Sequence, residues 1–216
     1  MKHVVVDLEM NPVSREFREV RRKLNEEVIE IGAVRLDENF QQEAEFQCYV
    51  KPEYGPIKKH ITSLTGITQA MVADKKTYAA CFQDFVDWVG EEETKIYSWS
   101  MSDIKQLRSE CRYKLPDFDI EWLNERWVDL QQEFDDRLGL HNSLALKHAL
   151  GAMDHKFEGT QHTALADAIN TSAILTLMQD DAKHHLRSIH HCCAPYPPRS
   201  WMTHVSTQTS TPRKAL

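Results

Sequence analysis

The sequence predicts an α/β domain in which a mixed five-stranded sheet is flanked by helices. Three observations predict it. The first fifty residues hold three β-patterned runs in close succession, the middle alternates strand-like with amphipathic helical runs, and the remainder to about residue 180 is mostly helical. A chain of 216 residues can bury most of its apolar surface in one core.

Lys2 to Leu8 reads as a strand, because consecutive Val4, Val5 and Val6 suit a strand covered on both faces. Asn11 to Glu27 is polar and charged, with Pro12 near its start, and reads as a loop or a solvated helix. A second strand follows at Val28 to Asp37, closed by the turn signal Asp37-Glu38-Asn39. The third runs from Gln41 to Val50, with Ala44, Phe46, Cys48 and Val50 alternating on one face. Strands so close in sequence predict an antiparallel meander. Ile61 to Leu64 reads as a short helix stopped by Gly66. Tyr78 to Val89 is an amphipathic helix, with Ala79, Phe82, Phe85, Val86 and Val89 on one face. Lys95 to Trp99 is strand-like, and Ser102 is placed to cap the helix after it. Trp127 to Leu130 reads as a short strand or as an extended entry into a helix through Leu138. Leu144 to Leu150 is helical and ends at Gly151. A final helix opens at His162 or Thr163 and runs through Met178.

Residues 1–182 therefore read as one domain. From 183 to 216 the sequence turns His- and Pro-rich, and reads as a poorly ordered tail or a docked appendage. Five cysteines, an odd number without CxxC spacing, predict free thiols. The tail pair Cys192-Cys193 follows His190-His191, yet adjacent cysteines rarely present tetrahedral geometry together. No apolar run is long enough to span a membrane, and the start turns acidic too soon for a signal peptide. A cytoplasmic chain with no membrane partner is expected. The net charge of −7 argues against a general nucleic-acid coat, which would be basic. It does not argue against an enzyme whose carboxylates hold cations.

Three motifs carry chemistry. Asp7-Leu8-Glu9 ends the first strand, so its two carboxylates share a face beside the core. They repel each other unless a cation lies between them, although a strand running into a solvated turn would look the same. In His162-Thr-Ala-Leu-Ala-Asp167 an acid stands on a small, apolar helix turn five residues after a histidine. The helix dipole alone would favour that acid. Trp99-Ser-Met-Ser-Asp103 places a third acid after a strand, where a first-turn helix acid is the bland alternative. Together they match a two-metal phosphodiester site. Carboxylates hold hard cations, one to activate water and one at the leaving oxygen. Histidine, titrating near neutrality, suits a general base.

These motifs resemble those of the DnaQ-like exonucleases of the DEDDh type, whose fold is similar to ribonuclease H. Val28-Ile-Glu-Ile-Gly-Ala-Val34, Leu64-Thr-Gly-Ile-Thr68 and Trp127-Val-Asp-Leu-Gln131 also fit, so the resemblance covers roughly residues 1 to 180. It implies a 3′→5′ exonuclease with two divalent cations, Mg²⁺ or Mn²⁺. Asp7, Glu9, Asp103 and Asp167 would be ligands, Glu9 would share in catalysis, and His162 would be the base. The branch it most resembles contains the histone-mRNA and RNA-interference exonucleases and their bacterial relatives. That branch implies single-stranded RNA or short oligonucleotides, shortened to nucleoside 5′-monophosphates. Met10 and Leu64 would neighbour the terminal base, and backbone groups from Leu8 to Met10 would meet the 3′-hydroxyl. Trp99 would touch a sugar or base, though Trp99 and Leu64 fit a packed core equally well. The arginines of Asn11 to Lys23 would guide phosphates or cover the site, or belong to a surface insertion. Two rivals are a DNA-directed proofreading or trimming exonuclease and a non-catalytic nucleic-acid-binding module.

Overall fold

The computed structural model describes residues 1–90 and 92–179. The tail expected at 183–216, with Cys192 and Cys193, lies outside them. Among the described residues the strands are β1 (Lys2–Pro12), β2 (Glu26–Leu36), β3 (Gln42–Tyr49), β4 (Thr94–Ser98) and β5 (Trp127–Asp129). The helices are α1 (Arg18–Arg21), α2 (Lys59–Thr65), α3 (Gln69–Val72), α4 (Tyr78–Val89), α5 (Ser102–Lys114), α6 (Glu121–Glu125), α7 (Leu130–Leu138), α8 (Leu146–Ala152) and α9 (Ala164–Gln179).

The strands form one sheet in the order β3-β2-β1-β4-β5. β1–β2 and β2–β3 are antiparallel, whereas β1–β4 and β4–β5 are parallel, so the sheet is mixed as expected. Each face of β1 meets a different core, following the two-residue period of a strand. Val4, Val6 and Leu8 pack with Phe82 and Phe85 of α4 and with Ile104 and Leu107 of α5. Val5 packs with Val34, with Leu130 and Phe134 of α7 and with Ile174 and Leu175 of α9. Burying each such side chain contributes roughly 1.5–3 kcal/mol. A smaller cluster of Ile29, Ile61, Ile67 and Val72 seats α2 and α3.

Several local expectations change. β1 continues to Pro12 and β2 begins at Glu26, so the loop between them is shorter than its charged composition suggests. Gly66, at φ 76°, does end α2, but Gly151 lies inside α8 rather than closing it. Met101 takes the cap position of α5, and Ser102 is already helical. Cys48 and Cys81 form a disulfide, where free thiols are expected. The reason is tertiary: α4 lies across β3 and brings residues 33 positions apart to a Cα–Cα distance of 6.3 Å. Cys111 remains a free, buried thiol.

Candidate active site

The site lies where β1 outruns β4. Their pairing spans only Lys2↔Thr94 to Val5↔Tyr97, because the chain after Ser98 turns into α5. From Asp7 onward that edge of β1 is open, and its backbone groups need other partners. The Leu8 N–H finds one in Asp103 Oδ1, 3.2 Å away. Asp103, in the first turn of α5, is thereby held against the β1 edge.

Asp7 and Glu9 lie on the β1 face that meets α9. Asp167 stands in the first turn of α9, its N–H donating to Thr163 O at 3.0 Å. α9 starts at Ala164, so His162 belongs to the loop before it, at a left-handed φ of 61°. That loop returns the chain towards β1. One ligand atom from each of Glu9, His162 and Asp167 falls within 4.8 Å of the others.

The loop and helix are held by two residues of β2, Glu30 and Gly32, to which the sequence assigns no role of their own. Glu30 of β2 is fully buried and pairs in register with Glu9. Its Oε1 accepts from Gln47 Nε2 at 2.7 Å, and its Oε2 accepts from the Ala164 N–H at 3.1 Å. A carboxylate within the apolar run Val28 to Val34 was the available signal. Its partner could not be read, because Ala164 is 134 residues away. Gly32 pairs with Asp7, and a Cβ on it would lie 2.2 Å from Leu165 N and 2.3 Å from Ala164 C. Only glycine lets the start of α9 approach β2 so closely.

The electrostatics follow from this crowding. Burial pushes Asp7 well above the usual carboxylate range, helped by Asp103, Asp167, Glu9 and Glu30. Burial, then Asp167, Glu30 and Asp103, push Glu9 up to about 8. Asp103 is pushed up to about 7 by burial, opposed by hydrogen bonds including those from Ser102, Leu8 and Ser98. Asp167 is raised by burial and lowered by His162. Its Oδ1 is buried with no hydrogen-bond partner. Like charges so placed, with an orphaned acceptor among them, fit a cation-binding site. The donor set is hard oxygen, with one imidazole at its margin.

The remaining predicted residues divide. The Leu8 side chain is buried in the core and its N–H is engaged by Asp103. Met10 is half-buried, just past the bulge at Glu9/Met10. Leu64 on α2 is 50% exposed, unusual for a large apolar side chain among the described residues and open to a ligand. Trp99 takes the core alternative: it is buried, packs on Phe134, and donates from Nε1 to Leu144 O at 3.1 Å. Among the described residues no helix is long and apolar enough to cross a membrane.

Comparison with known proteins agrees with this architecture. The family model described as exonuclease matches residues 4–175. ERI1 exoribonuclease 2 of Xenopus laevis is 29% identical over 71% of this chain and 25% of its own length. "Probable 3'-5' exonuclease KapD" of Bacillus subtilis is 25% identical over 73% of this chain and 76% of its own length. Thus the chain spans only about a quarter of the first relative but three quarters of the second. Among solved structures, the nuclease domain of 3'hExo, a DEDDh family member bound to rAMP, superposes with a TM-score of 0.69. It covers 83% of this chain and 92% of that domain at 23% identity.

Proposed function

The chain belongs to the exonuclease family, and from that membership we propose that it is a metal-dependent 3′→5′ exonuclease acting on single-stranded RNA or short oligonucleotides and releasing nucleoside 5′-monophosphates. The observation that carries this reading is the convergence of Asp7, Glu9, Asp103 and Asp167 at the open edge of β1, with His162 beside them. Four carboxylates crowded along the open edge of one strand are costly to hold ionised unless divalent cations offset them. Two Mg²⁺ or Mn²⁺ ions held by these four would polarise the phosphodiester and lower the pKa of the attacking water.

The chain's own groups do the rest. His162, at the exposed mouth of the site, accepts the proton of the attacking water. Its position is set by the seating of α9 on Glu30 and Gly32. Asp103, fixed by the Leu8 N–H, holds its carboxylate at the sheet edge, while Glu9 and Asp167 flank the imidazole. Leu64 and Met10 offer apolar surface for the terminal base. RNA is favoured because several relatives are named as exoribonucleases and the 3'hExo domain is described as bound to rAMP.

The test is a time course on 5′-labelled single-stranded RNA and DNA of one sequence, with Mg²⁺, Mn²⁺ or EDTA. A metal-dependent ladder shortening from the 3′ end is expected, faster on RNA. In Asp167→Asn the ladder should slow by orders of magnitude with the fold retained. A faster rate on DNA would select the DNA-directed reading. No cleavage of either strand with any metal would favour a binding module.

A further inference from the structure

Helical spacing puts Asp103, Leu107, Glu110 and Lys114 of α5 on a single stripe, and the stripe faces the sheet. At each end it meets a strand through a carboxylate that accepts a backbone N–H. In the first turn Asp103 Oδ1 accepts the Leu8 N–H of β1 at 3.2 Å. About two turns later, roughly 10 Å along the helix, Glu110 Oε2 accepts the Val28 N–H of β2 at 2.8 Å. Val28 lies where the β1–β2 register passes from Glu9↔Glu30 to Met10↔Val28, so Ile29 is the extra residue of the bulge. A bulge disrupts the ladder and bends the strand, and this one follows directly on Glu9. Glu110 therefore ties the helix that carries one site acid to the point where the strands bend beside another.

Glu110 is fully buried and takes no part in the chemistry assigned to the site. It is nonetheless well supplied with partners. Gln106 Nε2 donates to its Oε2 at 3.0 Å, and the Lys114 ammonium pairs with its Oε1 at 2.8 Å. The Lys114 side chain is only 7% exposed and lies 2.9 Å from Glu27 Oε1 and 2.8 Å from Glu53 Oε2. Glu27, also fully buried, accepts the N–H groups of Glu53 and Tyr54, each at 2.8 Å. One ammonium shared by three carboxylates thus joins the end of α5, the start of β2 and the chain after β3. Replacing such a cluster by apolar side chains often costs no stability, so fixed geometry is what it offers here.

We propose that Glu110 is a positioning residue for the metal site, which anchors α5 to the bulge of β2 and so holds Asp103 at the open edge of β1. The proposal rests on the exonuclease reading. Asp103 and Asp7 carry like charge and disfavour each other's ionised form, which drives the start of α5 away from β1. The Leu8 N–H opposes that at one point only, about which the helix is free to pivot. A second bond some two turns away fixes the tilt as well as the position. The arrangement parallels that of α9, whose start is seated by buried Glu30 through the Ala164 N–H. Each helix that brings an acid to β1 is thus fastened to β2 by a buried glutamate and one backbone N–H.

The experiment compares wild type, Glu110→Ala, Glu110→Gln/Lys114→Met and Val89→Ala, each as the full chain and at a temperature where circular dichroism shows it folded. Val89→Ala opens a cavity in the core under α4 and controls for lowered stability alone. The double variant keeps an amide oxygen for the Val28 N–H and removes one charge of each sign. Three quantities are read: amide exchange at Leu8 by NMR in EDTA, Mn²⁺ affinity from the paramagnetic resonance of the free ion, and kcat and KM on a labelled RNA 12-mer. Glu110→Ala should speed Leu8 exchange, weaken Mn²⁺ binding about tenfold and lower kcat more than it changes KM, at the low end of the effect of groups that orient metal ligands. The double variant should recover most of each. Wild-type Leu8 exchange in Glu110→Ala, losses no greater than in Val89→Ala, or a double variant as impaired as alanine would overturn the proposal and leave the exonuclease reading intact. A wild type that neither binds Mn²⁺ nor cleaves the RNA would overturn the exonuclease reading, while faster Leu8 exchange in Glu110→Ala would still assign the seating of α5 to Glu110.

Discussion

Replacing Glu9 by glutamine should stabilise the metal-free chain while weakening its response to metal. Glu9 is buried beside three other site acids and Glu30, and its folded-state value is pushed up to about 8 from an ordinary 4.5. A carboxyl raised on folding contributes stability below its unfolded value, and that stability is lost as pH rises through the folded value. For Glu9 the window runs from about 4.5 to about 8. Across it each pH unit removes about 1.4 kcal/mol, so at pH 7 the wild-type carboxyl costs on the order of 3 kcal/mol relative to a neutral group. In a domain of this size that corresponds to roughly 6–12 °C in Tm. The assay is thermal denaturation of both chains in EDTA from pH 6 to 8, repeated with Mn²⁺. Glu9→Gln should melt higher in EDTA, and its advantage should widen by roughly 2 kcal/mol between pH 6 and 8. Adding Mn²⁺ should raise the wild type more, since a ligand of the folded state stabilises by mass action. Parallel pH dependences in EDTA would refute the crowded-carboxylate account. Equal metal-induced shifts would remove Glu9 from the ligand set.

Three further outcomes test how the site is held. Gly32→Ala forces a Cβ into the backbone of Ala164 and Leu165, so urea denaturation should show a loss of about 1–3 kcal/mol or more and exonuclease turnover should collapse. Unaltered stability would mean that α9 does not sit on β2 as described. Glu30→Ala strips the Ala164 N–H and the Gln47 amide of their acceptor, at about 1–3 kcal/mol, whereas Glu30→Gln keeps an acceptor and removes a repelling charge. Thermal melts and kcat should therefore rank glutamine above alanine, and the reverse order would refute the positioning role. His162→Ala should lower turnover by about 10²–10⁴, with partial recovery as pH rises and hydroxide replaces the base. A pH–rate profile parallel to that of the wild type would count against proton transfer to this ring.

Much of this protein is set locally, and that part is legible in the sequence. The valine run of β1, the alternation in β3 and the apolar face of α4 follow from side-chain period and burial, which act over a few residues. The three acidic motifs are legible for a related reason. Charge beside an apolar run is unfavourable without a partner, and three such motifs falling together with a histidine single these acids out where one alone would not. What tertiary structure alone decided depends on distant segments meeting. The disulfide exists because α4 crosses β3, and Trp99 is a core residue because Leu144 and Phe134 close over it. Glu30 and Gly32 look like ordinary members of a strand until α9, more than 130 residues later, descends on them. The sequence names the carboxylates, because their desolvation is a property of each acid and its neighbours. Their convergence depends on where β4 stops pairing with β1 and how closely α9 packs on β2, and contacts of that range leave no local period to read.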